Sequence, residues 1–313
     1  MPVRVLMLAV VLTLALQVTP VQAFQTPPAR FALWSTVDLI RRDEALSMRV
    51  GPDGSARETL LDYGDPPGAY RFRMIHRDSD GAPEIHADGL DVVFIKSGAA
   101  TLLVGGEMID RSGNTGSGIR GGTRYELSRG DVIHIPADTP HRYLVPERGH
   151  ITYVLVRVPA FLDDPVVLDN APVLRFDPPG FAMWKTFDLQ ERDAALSTRV
   201  GPDHSARETL ADYGNPAGAH RFRFIHRDAD GIPEIHSGVI DLVYIQSGKG
   251  TLLVGGEILD RRGDMGSGIN GGMRYPVGAG DLLHIPRETP HRYLVEEGGH
   301  VTYVLVRLPA FLD

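Results

Sequence analysis

Alternation of apolar and polar residues is the main pattern of this chain. Residues 71–77 alternate, which predicts a β-strand with two different faces. Shorter apolar runs at 92–95, 101–104 and 132–135 end at Gly or Pro and predict further strands. Many short strands of this kind predict an all-β sandwich or barrel. In the alternating run, one face carries Phe72, Met74 and His76, and the other carries Arg71, Arg73 and Arg77.

A short helical segment is predicted before these strands. Thr36 is expected to cap a helix with Leu39, Ala45 and Leu46 on one side. Residues 55–58, Ser-Ala-Arg-Glu, have the form of a capping box, which would begin a second helix. The apolar residues that follow fit a strand equally well, so the pattern leaves both alternatives open.

The whole pattern occurs twice. Residues 31–163 recur as residues 181–313, at a constant offset of 150 and without a gap. A repeat of this length indicates one domain-sized unit present in two copies. Residues 164–180 are rich in proline and predict a stiff linker between the copies. A site that the first unit builds is therefore expected again in the second.

The N-terminus reads as a targeting segment. Residues 1–23 combine an early Arg4, an apolar stretch and small residues around Ala23, as in a cleaved secretory signal peptide. Residues 24–30 are then a short leader. An uncleaved membrane anchor is the alternative, although the stretch is short for a span. We expect a periplasmic or secreted protein, and its lack of cysteine excludes disulfides and thiolate metal ligands.

The net charge of the chain limits the classes of partner that it can bind. The chain has a formal net charge of -8 and no long basic run. This argues against nucleic acid as a partner. We expect no membrane contact after signal cleavage, and a small-molecule ligand instead.

The chemistry-bearing residues form one spaced set. Glu84 and His86 lie two residues apart, so on a strand their side chains share a face. Asp91 follows, and a later stretch runs from Gly130 through Pro136 to His141. The second unit repeats the set as Glu234, His236, Asp241 and His291.

On these residues the chain resembles the cupin superfamily. The spacing from Glu84 through His86 and Asp91 to Gly98 follows the first cupin motif, and Gly130 to His141 follows the second. The resemblance implies two tandem cupin-type jelly-roll β-barrels, a bicupin. It also implies a metal ion in each unit, held by the motif residues. Among cupins, the pattern is most similar to exported bacterial members of unassigned activity.

The motifs depart from the family at three places. Glutamate replaces the first histidine, aspartate replaces the glutamate, and leucine replaces the final asparagine. The implied metal ligands are therefore Glu84, His86, Asp91 and His141, with Glu234, His236, Asp241 and His291 in the second unit. Carboxylates with imidazoles favour Fe(II) or Mn(II), and zinc or nickel also fit. Aspartate is shorter than glutamate, so Asp91 could miss the metal and act as a base. A metal-free barrel with a buried Glu84–His86 pair is the alternative.

Further residues are candidates for the reaction. Tyr143 and Tyr293 follow the motif histidines by two positions and are expected to face the same way. We assign catalytic roles to them and to Asp91 and Asp241, with core packing as the alternative for the tyrosines. If the apolar face of residues 71–77 lines the interior, Phe72 and His76 contact substrate, as do Phe222 and His226. A hydrogen-bonded core histidine is the alternative for His76.

Three function classes remain. The first is a metal-dependent oxygenase, lyase or isomerase acting on a small organic molecule. The second is a non-catalytic periplasmic protein that binds a small ligand. The third is a structural or storage bicupin, which the polar sets in both units disfavour. Since single cupin domains often dimerise, two units on one chain are expected to form a pseudo-symmetric monomer.

Overall fold

A computed structural model describes residues 26–63, 70–160, 178–213 and 220–309. The predicted signal peptide, the first residues of the leader, most of the linker and the last residues of each repeat lie outside these ranges. The predicted domain boundaries stay predictions. No helix in the described part of the chain is both long and apolar enough to cross a membrane.

Each unit consists of ten strands and one helix within the described residues. The first unit contains β1 (Ala32–Trp34), α1 (Thr36–Ser47), β2 (Ser55–Tyr63), β3 (Tyr70–Arg77), β4 (Gly89–Val104), β5 (Glu107–Ile109), β6 (Gly118–Arg120), β7 (Thr123–Ser128), β8 (Val132–Ile135), β9 (His141–Leu144) and β10 (Ile151–Pro159). The second contains β11 (Ala182–Trp184), α2 (Thr186–Ser197), β12 (Ser205–Tyr213), β13 (His220–Arg227), β14 (Val239–Val254), β15 (Glu257–Leu259), β16 (Gly268–Asn270), β17 (Met273–Gly278), β18 (Leu282–Ile285), β19 (His291–Leu294) and β20 (Val301–Pro309). The segment that fitted a helix or a strand, residues 55–58, is the start of β2.

A long strand organises each unit as a jelly roll. The first half of β4 pairs with β8 and β10, and its second half pairs with β7 and β9. The bend falls at Gly98, where φ is 73° and a side chain would meet the carbonyl of His150. The all-β jelly-roll prediction is confirmed. Among the described strands the ladders do not close into a ring, so neither unit is a closed barrel.

The predicted helices are present, with one correction at the cap. Helix α1 buries Leu39 and Leu46 as expected, whereas Ala45 is exposed. Its N-cap is Ser35, one residue before the predicted Thr36, and the Ser35 hydroxyl accepts from the backbone N–H of Asp38 at 3.1 Å. The N–H of Thr36 donates instead to a carboxylate of the second unit, Asp281, at 2.7 Å.

The two units exchange their first strands. Strand β1 pairs with β18 of the second unit, where Ala32 lies opposite His284. Strand β11 pairs in the same way with β8 of the first unit. The main sheet orders are therefore β1-β18-β14-β20-β13-β12 and β11-β8-β4-β10-β3-β2. The repeat boundaries in the sequence do not reveal this exchange, because it is reciprocal.

The apolar residues that the structure describes form three cores. One cluster fills the inside of each unit. A third lies between the units and joins Trp34, Phe72 and Phe94 of the first to Trp184 and Phe222 of the second. The central strands are consequently buried on both faces, which explains why residues 92–95 form an unbroken apolar run.

Candidate metal centre and pocket

Three predicted ligands of the first unit meet inside the jelly roll. Glu84 lies in the segment before β4, and His141 begins β9. The two residues exchange backbone hydrogen bonds, each N–H donating to the other carbonyl at 2.9 Å. His86 is two residues further along, and its side chain points to the same place. The backbone pairing therefore fixes all three side chains on one wall.

Their donor atoms are close enough to share one ion. In the first unit the Glu84 Oε2 atom lies 3.7 Å from Nε2 of His86 and 4.0 Å from Nε2 of His141. The equivalent distances from Glu234 to His236 and His291 are 3.6 and 3.9 Å. Two ligands that each lie about 2.1 Å from a metal are roughly 3 to 3.5 Å apart. Slightly shorter distances between the donor atoms would let each group coordinate one metal ion.

The hydrogen bonding of the imidazoles fits a metal centre. The Nδ1 atom of His141 lies 2.9 Å from the carbonyl of Thr139, an arrangement that leaves the Nε2 lone pair free. Within the described ranges, neither ring nitrogen of buried His86 has a hydrogen-bond partner. A buried imidazole of this kind is costly unless a ligand completes it. Two histidines and one carboxylate are the facial triad of non-haem Fe(II) sites.

The carboxylate of this group is held in its charged form. Burial by itself would raise the pKa of Glu84. The neighbouring His86 and His141 imidazoles and the Arg77 guanidinium outweigh that effect and lower the pKa to about 2. Glu234 has the same balance and a pKa of about 2. Both glutamates are therefore ready as anionic ligands at neutral pH.

Asp91 occupies a different position. Its carboxylate forms a bidentate pair with Arg157, whose Nε and Nη2 donate at 2.7 and 2.8 Å. Its Oδ2 atom still lies 3.8 Å from Nε2 of His141 and 4.0 Å from Nε2 of His86. The group of mutually close donors contains Glu84 but not Asp91. Asp91 thus borders the centre while both its oxygens are engaged, and its role as a ligand or base stays a prediction.

The second unit differs in one contact. Arg307 pairs with Asp241 through Nε at 2.9 Å and Nη2 at 3.2 Å. The same Nη2 also lies 3.0 Å from Nε2 of His236. Arg307 therefore donates towards the nitrogen that would bind a metal, and this contact must open when an ion binds.

A pocket of about 220 Å³ contains the centre of the second unit. Pockets for drug-sized ligands are roughly 300 to 1,000 Å³, so this one suits a smaller molecule. Every second residue of a lining strand faces the pocket, and on β13 these residues are Arg223, Ile225 and Arg227. The arginine-bearing face of β13 therefore lines the pocket.

Four predicted substrate contacts lie elsewhere. Phe72 and Phe222 pack in the core between the units, on the opposite face of β3 and β13 from the pocket side. His76 Nδ1 lies 2.8 Å from both Asp43 and Thr152, and it ties α1 to the sheet. His226 does the same with Asp193. The prediction chose the wrong strand face, because the apolar face meets the other unit rather than the ligand.

The predicted catalytic tyrosines, Tyr143 and Tyr293, have equivalent environments in the two units. Tyr143 stacks on Tyr153 with ring centroids 4.6 Å apart, and Tyr293 stacks on Tyr303 at 4.8 Å. Tyr293 lines the pocket, and its hydroxyl has no hydrogen-bond partner in the described structure. Burial raises the pKa of Tyr293 well above 10, so the hydroxyl stays a proton donor.

Comparison with known proteins identifies the architecture. No family model and no curated protein sequence matches the chain. Among solved structures, salicylate 1,2-dioxygenase from Pseudaminobacter salicylatoxidans matches over 91% of this chain and 86% of its own, with 13% identity and a TM-score of 0.57. A putative glyoxylate-induced protein from Pseudomonas aeruginosa matches over 89% and 88%, with 14% identity and a TM-score of 0.53.

Both matches span the two units together, as a tandem duplication requires. The protein has a tandem cupin fold. Within this fold, the motif residues Glu234, His236, Asp241 and His291 of the second unit all line the pocket.

Sequence reasoning missed the arginines around the candidate centre. Arg157 and Arg307 pair with the motif aspartates, and Arg77 and Arg227 donate to buried tyrosine hydroxyls at 3.1 and 3.0 Å. A signal was present, since the arginines of residues 71–77 alternate with apolar residues. Arginine on a strand face is usually read as solvent-facing, and this reading hid the pocket.

Proposed function

We propose that this tandem cupin is an exported metal-dependent enzyme of oxygenase, lyase or isomerase type that acts on a small organic molecule. The observation that carries the proposal is the grouping of Glu84, His86 and His141, whose donor atoms lie within 4.8 Å of one another, repeated in the second unit. Two imidazoles and one carboxylate leave coordination positions open for substrate or oxygen.

The donor set favours Fe(II) or Mn(II), with zinc or nickel as weaker fits. A bound ion of this kind supplies Lewis acidity and, in the case of iron, oxygen activation. Salicylate 1,2-dioxygenase has the same fold, which makes oxygen consumption the first activity to assay.

The protein's own residues supply binding and proton transfer. Among the described residues the Tyr293 hydroxyl has no hydrogen-bond partner, and it lines the pocket, so it is placed to donate a proton or a hydrogen bond to substrate. The paired guanidinium of Arg307 holds the Asp241 carboxylate beside the centre. Replacing Tyr143 and Tyr293 by phenylalanine tests this role, because turnover should fall while metal content stays the same.

Elemental analysis of the untagged mature protein is the deciding experiment. We expect near two equivalents of iron or manganese per chain, lost in the double variant His86→Ala/His236→Ala. The matched control is His150→Ala/His300→Ala, which also removes two histidines but leaves the group intact. Oxygen uptake and product formation are then screened with the loaded protein.

A metal-free protein that takes up no added iron, manganese, zinc or nickel would overturn the enzyme proposal. A small-ligand-binding protein would then be the better account. Metal binding without turnover of any substrate would favour that alternative as well.

Export is the second part of the proposal. It rests on residues 1–23, which lie outside the described structure. Mass spectrometry of the protein from its native cells should find a chain that begins at Phe24, recovered from the periplasm or the medium. A full-length chain in the cytoplasm would contradict export.

A further inference from the structure

One pocket arginine lacks a partner. Arg223 lies on β13 on the same face as Ile225 and Arg227, and it lines the pocket of the second unit. Among the residues that the structure describes, no group accepts a hydrogen bond from its guanidinium or forms an ion pair with it. A guanidinium is always charged and carries five N–H donors. A half-buried, unpaired guanidinium is costly unless a ligand anion completes it.

The neighbouring arginines are already engaged. Arg307 pairs with Asp241 at 2.9 Å, and Arg207 pairs with Asp203. Arg227 donates to the hydroxyl of Tyr303 at 3.0 Å and lies 3.7 Å from Glu234. These pairs leave the charge of Arg223 unbalanced. Burial and the repulsion from nearby arginines accordingly lower the pKa of Arg223.

The first unit repeats the arrangement. Arg73 on β3 has no partner among the described residues either, while its neighbour Arg71 donates to Asp62 at 2.8 Å. Burial and the charges of Arg71, Arg157 and Arg57 lower the pKa of Arg73. Among the described arginines of β3 and of β13, Arg73 and Arg223 are therefore the ones without a partner.

The rest of the pocket wall limits what the anion can be. Apolar side chains of Ile225, Val243, Ile285 and Leu305 line the same space. A fully hydrated inorganic anion would gain nothing from this apolar surface. A ligand with one anionic end and an apolar body matches both parts of the wall. A planar carboxylate also matches the two parallel N–H donors of a guanidinium.

We infer that the pocket of the second unit takes a small organic carboxylate, whose anionic end binds Arg223 and whose apolar body packs on the pocket's aliphatic residues, and that Arg73 is the equivalent binding residue of the first unit. This inference rests on the proposed function and names its substrate class. The bound molecule would share the pocket with Glu234, His236 and His291. Arg73 and Arg223 thus act as substrate-binding residues.

The test compares charged probes with neutral ones. Acetate, malonate, succinate, benzoate and salicylate are each titrated by calorimetry against the full-length mature protein, beside the corresponding amide and inorganic phosphate. The variants are Arg73→Gln/Arg223→Gln, the conservative Arg73→Lys/Arg223→Lys, and the matched control Arg124→Gln/Arg274→Gln on the exposed face of β7 and β17. Every titration is run on metal-loaded and metal-free protein, with circular dichroism as a check of folding.

We expect at least one carboxylate to bind the wild-type protein. The corresponding amide should bind wild type at least about tenfold more weakly, and the glutamine variant should bind the carboxylate at least about tenfold more weakly. A hydrogen bond to a charged group contributes roughly 1.5 to 3 kcal/mol, which corresponds to about a tenfold change or more. Lysine should restore part of the affinity, and the control should equal wild type. Equal binding of acid and amide, unchanged affinity in a folded glutamine variant, tighter binding of phosphate than of every carboxylate, or no binding of any carboxylate would each overturn the inference.

Metal content is measured on the same samples and separates the two proposals. Carboxylate binding to a protein that takes up none of the added metals would overturn the enzyme proposal and leave this inference standing. Metal-loaded protein with no preference for carboxylates would overturn this inference and leave the enzyme proposal standing.

Discussion

The Nδ1 atom of His236 lies 3.3 Å from Oδ2 of Asp264, and the equivalent position in the first unit is Asn114. The carboxylate places the imidazole proton on Nδ1, because Arg307 donates to the opposite nitrogen at 3.0 Å. Within the described part of the first unit, Nδ1 of His86 has no such partner. The two candidate metal centres therefore have the same donor residues, but only the histidine of the second unit has a carboxylate behind it.

Unequal metal affinity follows from this difference. A carboxylate behind a ligating histidine raises its basicity and fixes its tautomer. We expect the second unit to bind Fe(II) or Mn(II) more tightly, by up to about tenfold, since Asp264 is exposed and its field is screened. Competition with a chelator should resolve two affinities in wild type. Asp264→Asn should bring them together, and Asn114→Asp should strengthen the first site.

Asp260→Asn is the matched control for this prediction. Asp260 is an exposed residue of the same region, and its carboxylate accepts from Ser267 at 2.6 Å rather than from the imidazole. Two equal affinities in wild type, or an effect of Asp260→Asn as large as that of Asp264→Asn, would contradict the role assigned to Asp264.

The two acidic residues of each motif should respond differently to substitution. Glu84→Gln/Glu234→Gln removes the carboxylate of the donor group, and we expect most of the metal to be lost. Asp91→Asn/Asp241→Asn should keep near two equivalents, because both oxygens of Asp91 are engaged by Arg157 at 2.7 and 2.8 Å. Elemental analysis of both variants decides the matter. Loss of metal from the aspartate variant would make Asp91 a ligand.

Lys96 should make stability depend on pH. Burial and the charge of Arg129 lower its pKa from 10.5 to about 7, although its Nζ donates to the carbonyl of Gly280 and lies over the ring of Tyr244. Between about pH 7 and 10.5 the unfolded chain holds a proton that the folded chain has released, so stability rises with pH. Below pH 7 both forms are protonated, and the full cost of burying the charge remains.

The second unit has Gln246 at the position of Lys96, so Lys96→Gln is a substitution that the fold accepts. Thermal unfolding from pH 6 to pH 9 should show the variant gaining most over wild type at the acidic end, with the gain shrinking as pH rises. Exposed Lys249→Gln serves as the control and should show no such trend. A difference in stability between Lys96→Gln and wild type that does not change with pH would contradict the lowered pKa of Lys96.

The two units should unfold together. They share the core around Trp34 and Trp184 and exchange strands β1 and β11. We expect one calorimetric transition for the mature protein. Trp34→Ala should destabilise it by about 3 to 5 kcal/mol, because the side chain is buried in that core. Phe187→Ala, at an exposed position of α2, should have little effect. Two separate transitions would show that the shared core does not couple the units.

A monomer is expected in solution. The core between the units joins them within one chain, as a dimer interface would join two separate domains. Light scattering should give a mass near that of one mature chain across the concentration range. A mass near twice that value would contradict the prediction.

Much of this architecture could be read from the sequence. Alternation at residues 71–77 predicted a strand, the leucines of 36–47 predicted a helix, and the resemblance to the cupin motifs implied a ligand set of which Glu84, His86 and His141 lie close together. These features are local or depend on motif spacing, so no knowledge of the other unit is needed. The ambiguous residues 55–58 became strand because their register with β3 satisfies the backbone there.

Only the tertiary structure decided which strand face lines the pocket. Alternation separates Phe72 from Arg73 but does not say which of them faces inward, because the central sheets are buried on both sides. The apolar face packs in the core between the units, so the arginines face the inside of each unit. There Arg157 and Arg307 pair with the motif aspartates. Such pairs join residues far apart in the chain, so their energies depend on packing that no local pattern encodes.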